Sequence, residues 1–117
     1  MIYLVHDVEK EYHDCDGSTY VAKEDNRVIG RLCTRKLGWF GVEFCHLFVN
    51  ENSRRQGVAT FMNKELFKLY DKSVIMSTVR VDNIPSQMLM KSLGFMEVIN
   101  FISKNSGKLV ILFVYKR

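Results

Sequence analysis

The hydrophobic pattern of the chain changes period near residue 57, and this change limits the possible folds more than any other feature. Before it, apolar residues form short β-branched and aromatic runs that are typical of strands, and residues 41–50 are the longest such run. After it, apolar residues recur every three or four positions, which is the period of one helix face. That face comprises Val58, Met62, Leu66 and Leu69, with Phe61 and Tyr70 beside it, and the other face carries Asn63, Lys64 and Lys68. We therefore predict a strand followed by an amphipathic helix.

Shorter runs on both sides of this junction predict the remaining elements. A second helix is predicted over residues 85–93, closed by Gly94, and the acidic residues from Asp7 allow a turn or two of helix up to Tyr12. Further strands are predicted over residues 2–5, 20–23, 28–35, 74–81, 95–102 and 109–115, with a hairpin turn at 24–27. This order predicts a mixed α/β sandwich on one sheet.

Composition narrows the class of protein. A length of 117 residues suits one domain, and 47% hydrophobic with 26% charged residues is typical of a folded chain. The net charge of +4 is too small for a protein that works by neutralising a row of phosphates, so we expect no nucleic-acid partner. The most apolar segment, residues 109–115, is far shorter than the roughly 20 residues of a membrane-spanning helix, so we expect no membrane partner.

The cysteines and the N-terminus indicate a cytoplasmic protein without a metal. The three cysteines show neither a CxxC pair nor the Cys/His spacing of a zinc site, so reduced thiols are expected. The run His13, Asp14, Cys15, Asp16 has the side chains of metal ligands, but neighbours in one loop rarely converge on one ion, and we interpret it as a polar turn. The first residues lack the basic region and cleavage site of a secretion signal.

The loop that joins the predicted strand to the predicted helix has the clearest chemical meaning. A helix start exposes unpaired N–H groups and the positive end of the helix dipole, and therefore attracts anions. Here Arg54 and Arg55 add positive charge, Gly57 permits backbone conformations that a larger residue resists, and Ala59 keeps the first turn small. The pattern is typical both of a phosphate-binding helix start and of a basic helix start without a ligand.

Two separated segments of the chain resemble the acetyl-CoA motifs of the GNAT superfamily of N-acetyltransferases. Arg54, Gly57 and Ala59 fill the pattern Arg or Gln, two residues, Gly, one residue, Gly or Ala, and Val49 stands at the hydrophobic strand position five residues earlier. The second segment begins with Asn83 and ends in Gly94 and Phe95, at the spacing of the family. The resemblance implies one N-acetyltransferase domain over residues 1–117. Its α/β (α+β) fold would have a mixed, mostly antiparallel sheet of six or seven strands flanked by helices, and a shortened N-terminal helical region.

The same resemblance implies roles for individual residues. The backbone of Leu47, Phe48 and Val49 would bind the pantetheine arm and thioester of acetyl-CoA, and Asn83 would contact the cofactor near its thiol end. The pyrophosphate would lie against the helix start, held by Arg54, Arg55, Gln56, Gly57, Val58, Ala59 and Thr60. The implied co-substrate is acetyl-CoA, with no metal, and the implied reaction is direct acetyl transfer to a primary amine.

Such a reaction needs a base for the amine, and Glu43 is the candidate. It lies six residues before Val49, where several peptide- and protein-acetylating members of the family carry a catalytic glutamate. Strand alternation predicts that it shares a face with Cys45, Leu47 and Val49. The alternatives are a solvent-facing glutamate or an ion-pair partner of a Lys or Arg on a neighbouring strand. His46, predicted on the opposite face, is interpreted as a structural or acceptor-side residue, with a role as alternative base left open.

The departure from the family lies at Met90. Many members have a tyrosine seven residues after the motif Asn, as the acid for the departing thiolate, and methionine cannot donate that proton. Water, Ser86 or another group could serve instead. The predicted function is therefore an N-acetyltransferase for a small amine, peptide or protein, and the alternative is a catalytically silent CoA-binding regulatory protein. Because few residues separate the first two strands, the acceptor side should be open, or completed in a homodimer through an exposed edge of the strand at 109–115.

Overall fold

The computed structural model describes residues 1–11 and 17–116, which form one seven-stranded sheet with two α-helices. In chain order the elements are β1 (Ile2–Asp7), β2 (Ser18–Glu24), β3 (Arg27–Leu37), β4 (Gly41–Val49), a 3-10 turn (Glu51–Ser53), α1 (Val58–Leu69), β5 (Val74–Arg80), α2 (Ile84–Ser92), β6 (Phe95–Ile102) and β7 (Leu109–Tyr115). The strand order is β1-β2-β3-β4-β5-β7-β6, and β4 and β5 form the parallel pair in an otherwise antiparallel sheet. The predicted mixed sheet is confirmed.

The hairpin between β2 and β3 follows from two residues that tolerate left-handed backbone. Asp25 and Asn26 have φ values of 53° and 64°. A two-residue turn with positive φ at both positions matches the twist of antiparallel strands, and Asp and Asn adopt it more readily than most residues. The predicted turn is therefore confirmed.

The predicted helical start at Asp7 is wrong for the residues that the structure describes. Strand β1 continues through Asp7, which lies opposite Thr19 of β2, and a turn follows at Val8 and Glu9. One or two turns of isolated helix are only marginally stable, whereas the extended chain gains a complete ladder with β2. The run from His13 to Asp16 lies outside the described residues.

Helix α1 packs closely on β3 and β4. A Cβ atom on Gly30 of β3 would lie 2.9 Å from Cε of Met62 and 3.2 Å from Cγ1 of Val58, so the glycine permits this close approach. The buried face includes Val58, Met62 and Leu66, as predicted, but it also includes Asn63 and Phe67.

The placement of Asn63 on the outer face is therefore wrong, and Leu69, predicted to be inside, is 58% exposed. The physical reason is the position of the helix on the sheet. The stripe formed by Ala59, Asn63 and Phe67 faces inward beside the predicted one, because residues four apart lie one above the other on a helix.

The far end of α1 is held by a hydroxyl cluster. The Tyr70 hydroxyl lies 3.0 Å from the hydroxyl of Tyr20 and 3.1 Å from Oγ1 of Thr34, which links the helix end to β2 and β3. Burial, followed by the hydrogen bond with Tyr70, raises the pKa of the Tyr20 phenol well above its usual range. The folded state holds the Tyr20 proton more tightly than the unfolded state does. The contribution of this proton to the free energy of unfolding is therefore present below a pH of about 10 and is lost as pH rises further.

Replacing Tyr70 with phenylalanine is expected to lower the free energy of unfolding by about 1 kcal/mol, because the hydroxyls of Tyr20 and Thr34 lose a shared partner. Urea unfolding monitored by circular dichroism measures the change. Tyr3→Phe is the matched control, because the Tyr3 hydroxyl donates to Oδ1 of Asn26 at an exposed site. Equal losses in the two variants would contradict the role of the cluster.

Strand β6 forms one edge of the sheet, and β7 lies inside it. Strand β7 pairs with β5 on one side and with β6 on the other, so the predicted exposed edge at residues 109–115 is wrong. The pairing of β5 with β7 connects elements that are distant in sequence, and local patterns do not reveal it. Among the described residues, neither helix is long and apolar enough to cross a membrane.

Candidate active site

Strands β4 and β5 separate partway along their length. Their parallel pairing runs from Gly41 opposite Val74 and ends at Glu43 opposite Met76. Beyond this point β4 continues beside β3, and β5 continues beside β7. The edge of β4 that faces the gap is therefore available to an extended ligand, because backbone groups at an unpaired strand edge can bind one as an added strand would.

A cleft of about 450 Å³ occupies this gap. It brings together Glu43, Leu47 and Asn83 from the predicted site. Sequence patterns did not identify six further polar residues that line it, and these are Arg35, Asn63, Ser77, Thr78, Arg80 and Asn105. They come from β3, α1, β5 and the segment between β6 and β7, so only the assembled fold brings them together.

A bulge in β4 changes which side chains share a face. Cys45 lies opposite Cys33, but Phe48 lies opposite Arg31, so β4 contains one extra residue between these pairs. His46 lies in this bulge with φ of 55°, an uncommon value for a residue other than glycine.

Because a bulge interrupts strand alternation, Phe44, Leu47 and Val49 all pack against the core, whereas Glu43 and Cys45 lie on the opposite face. The prediction that Glu43 shares a face with Leu47 and Val49 is therefore wrong, and its pairing with Cys45 is correct. No local pattern around His46 signals the bulge.

Glu43 forms an ion pair across two strands. Nη1 of Arg35 donates to its Oε1 at 3.3 Å, and the Glu43 side chain is 19% exposed. This is the ion-pair alternative considered for the sequence. The carboxylate also lines the cleft beside Cys45 and the exposed His46, so the ion pair holds it at the opening between β4 and β5.

The loop before α1 has the geometry of an anion site. Arg55 and Gly57 have left-handed φ values of 65° and 75°. Among the described residues other than its two chain neighbours, no atom lies within 4 Å of the position that a Cβ of Gly57 would occupy, so the space beside it is open. The backbone N–H of Phe61 donates to the carbonyl of Gly57, and this is the first hydrogen bond of the helix. The N–H groups before Phe61 therefore have no partner within the helix and are directed outward.

The side chains of this loop divide into two groups. Arg54, Arg55 and Gln56 are exposed, and Nε of Arg54 donates to the carbonyl of Val49 at the end of β4. Val58 is buried in the core, so only its backbone can face a ligand. The helix start therefore offers cationic side chains and N–H groups next to the free edge of β4.

The second motif places Asn83 and Met90 beside the cleft. Oδ1 of Asn83 accepts a hydrogen bond from the backbone N–H of Ser86 at 3.2 Å, which caps α2. Met90 is 5% exposed and lies in the core, and Ser86 lines the cleft as well. Met90 therefore contributes apolar surface to the core and to the cleft, and it offers no proton donor there.

No metal centre is formed by the residues that the structure describes: no three His, Cys, Asp or Glu side chains converge there. Among the described residues, Cys33 and Cys45 form no disulfide.

The opening between β4 and β5, with a helix start beside it, defines a class of proteins that bind an extended ligand with an anionic end. A family model described as the acetyltransferase (GNAT) family matches residues 2–95. The chain therefore belongs to the GNAT acetyltransferase family. Acetyl-CoA is the acyl donor of that family, in agreement with the predicted co-substrate.

Solved structures share the fold at low identity. They include the IAA acetyltransferase from Bacillus cereus (TM-score 0.79, 15% identity, 100% of both chains). A GNAT family acetyltransferase from Elizabethkingia anophelis with acetyl-CoA bound is similar too (TM-score 0.79, 13% identity, 99% of this chain and 98% of that one). The ribosomal-protein-S18-alanine N-acetyltransferase from Escherichia coli has a TM-score of 0.77 at 13% identity, over 98% of this chain and 93% of that one. A comparison with curated proteins finds no match.

Proposed function

We propose that this protein is an N-acetyltransferase that moves the acetyl group of acetyl-CoA to a primary amine by direct attack. The observation that carries the proposal is the end of the β4–β5 pairing at Glu43 and Met76, which opens a cleft beside the free edge of β4. This edge leads to the cationic start of α1, so one extended ligand can contact both surfaces.

The donor would lie along the free edge of β4. The backbone of Leu47, Phe48 and Val49 would bind the pantetheine arm, as an added strand would. The pyrophosphate would bind the N–H groups from Gln56 to Thr60, where the positive end of the helix dipole and Arg54 and Arg55 supply favourable charge. Asn83, whose Oδ1 already caps α2, would contact the donor near its thiol end.

Glu43 would act as the general base. The amine nitrogen forms a bond to the carbonyl carbon of the thioester, the carbon–sulfur bond breaks, and the proton of the amine passes to the Glu43 carboxylate. The sulfur leaves as a thiolate, and the corresponding thiol has a pKa of about 8.5. The thiolate accepts a proton from water or Ser86, because Met90 cannot donate one. His46, exposed in the bulge of β4, is the alternative base.

The acceptor would approach from the side of the sheet opposite α1, where Arg35 and Glu43 lie. Only residues 8–17 separate β1 from β2, so little chain is available to build a wall on this side. An open approach suits a peptide or protein amine as well as a small amine. The neighbour from Escherichia coli is an alanine N-acetyltransferase for a ribosomal protein, which supports an acceptor of the peptide class.

The second candidate function is a catalytically silent CoA-binding regulatory protein, and the buried Met90 favours it. Two measurements separate the candidates: calorimetric binding of acetyl-CoA, and release of free thiol in the presence of small amines and of peptides with free N-terminal or lysine amines. We expect binding and release with at least one amine class. Binding without release would support the silent protein, and absence of binding would reject both.

We also propose a homodimer in a reducing, cytoplasmic environment. Strand β6 is an edge strand whose exposed apolar side chains include Met96, Val98, Ile99 and Ile102. Such an edge can pair with a second copy. Sedimentation equilibrium tests the dimer, and a monomer at micromolar concentration would rule it out. The three cysteines show no CxxC pair and no zinc-site spacing, which favours a reducing compartment, and localisation of a tagged protein would test it.

A further inference from the structure

Asn63 is a buried polar residue that the proposed chemistry does not use. It lies on the inward face of α1, is 1% exposed, and lines the cleft between β4 and β5. Its Nδ2 donates to the carbonyl of Ala59 at 2.9 Å. Its Oδ1 has no hydrogen-bond partner among residues 1–11 and 17–116.

The orientation of this amide is set by its chemistry. A carbonyl oxygen can only accept, so the atom next to the Ala59 carbonyl must be the Asn63 nitrogen. The oxygen of the amide therefore points away from the helix backbone. A buried acceptor without a donor lowers stability, and native proteins rarely keep one unless a ligand or a water supplies the missing hydrogen.

The surroundings of Asn63 favour a ligand that is mostly apolar and carries N–H groups. Leu47, Val79 and Met90 line the same cleft with apolar surface. The hydroxyl of Ser77, which lines the same cleft, already donates to the carbonyl of Phe44 at 3.0 Å. The pantetheine arm of CoA has this chemistry, because it is a narrow aliphatic chain interrupted by two secondary amides.

We propose that Oδ1 of Asn63 accepts a hydrogen bond from an amide N–H of the pantetheine arm and thereby positions the donor in the cleft. This inference rests on the proposed acetyl-CoA binding, and it assigns a side-chain contact that belongs to neither sequence motif. Oδ1 of Asn63 needs a donor, and an amide N–H of the arm needs an acceptor, so one hydrogen bond satisfies both groups. Such a bond is stronger away from water.

The test compares Asn63→Leu with the natural protein in calorimetric binding of two ligands. One is CoA, and the other is adenosine 3′,5′-bisphosphate, which is the nucleotide end of CoA with one of its two pyrophosphate phosphates and without the arm. Leucine has the same branched shape and number of heavy atoms as asparagine and removes the buried polar group. We expect the dissociation constant of CoA to rise about tenfold, that of the nucleotide to stay within about twofold, and the melting temperature to be unchanged or higher.

CoA analogues with a methyl group on one or the other amide nitrogen provide the second measurement. We expect one analogue to bind the natural protein more weakly than CoA, and Asn63→Leu to bind that analogue and CoA alike. Unchanged CoA affinity in a folded Asn63→Leu protein would overturn the inference and leave the proposed function intact, as would equal losses for CoA and the nucleotide. A natural protein that binds no CoA would overturn both.

Discussion

Replacing Glu43 with glutamine is expected to lower kcat for acetyl transfer about 10²-fold or more, while the dissociation constant of acetyl-CoA changes by less than about threefold. Glutamine keeps the shape of the side chain and can still accept a hydrogen bond from Arg35, but it cannot take the proton of the amine. The loss should therefore appear in the chemical step and not in donor binding. Free-thiol release at saturating acetyl-CoA, combined with calorimetric binding, measures both quantities.

The matched control for this substitution is Glu97→Gln on β6. Glu97 also forms an ion pair with a basic residue, Lys91, at 3.2 Å, but it does not line the cleft. The same chemical change there is expected to leave kcat unaltered. An unchanged rate in Glu43→Gln would reject Glu43 as the base, and a parallel His46→Gln variant that loses the rate would assign the role to His46.

The contrast between Glu43 and Leu47 shows how far strand alternation predicts a site. Alternation correctly places Glu43 and Cys45 on one face of β4, because both residues precede the bulge. It fails for Leu47 and Val49, because the extra residue at His46 reverses the faces beyond it. A bulge depends on how β4 meets β3 and β5, so its position is a property of the assembled sheet and not of a local pattern.

The elements themselves were predictable because each has a local signal. The apolar period identified α1, Gly94 with φ of 100° closes α2, and the Asp25–Asn26 turn joins β2 and β3. The residues missed in the cleft have no such signal. The ion pair of Arg35 with Glu43 depends on the register between β3 and β4. The buried position of Asn63 depends on how α1 packs on the sheet.

The two sequence motifs shape the cleft through different interactions. The first motif acts through the backbone: Gly57 adopts a left-handed conformation, and its neighbours Arg54 and Arg55 stay exposed. The second motif acts through a cap, because Asn83 fixes the start of α2 beside the cleft. Both motifs therefore place helix starts at the opening between β4 and β5, which explains why residues so far apart in sequence predict one site.

Replacing Gly57 with glutamate is expected to weaken CoA binding by about 10²-fold or more. A carboxylate about 5 Å from one negative charge of the pyrophosphate costs roughly 3 kcal/mol at an effective dielectric constant of 20, which corresponds to about a 10²-fold loss of affinity. The open space beside Gly57 leaves room for the new side chain, so steric conflict within the protein adds little to this cost. Calorimetry with CoA and with adenosine 3′,5′-bisphosphate measures the loss, which should be similar for both ligands because both carry phosphate.

Gly57→Gln separates charge from backbone strain in this experiment. Any side chain at a φ of 75° costs about 1 to 2 kcal/mol of stability, and glutamine carries this strain and the same bulk without the negative charge. We expect both variants to lose similar melting temperature, and the glutamate variant to bind CoA at least about tenfold more weakly than the glutamine variant. The difference should shrink at high salt, because ions screen charges at an exposed helix start. Equal affinities of the two variants would place the pyrophosphate away from α1, because an acidic side chain next to a bound phosphate cannot be electrostatically silent.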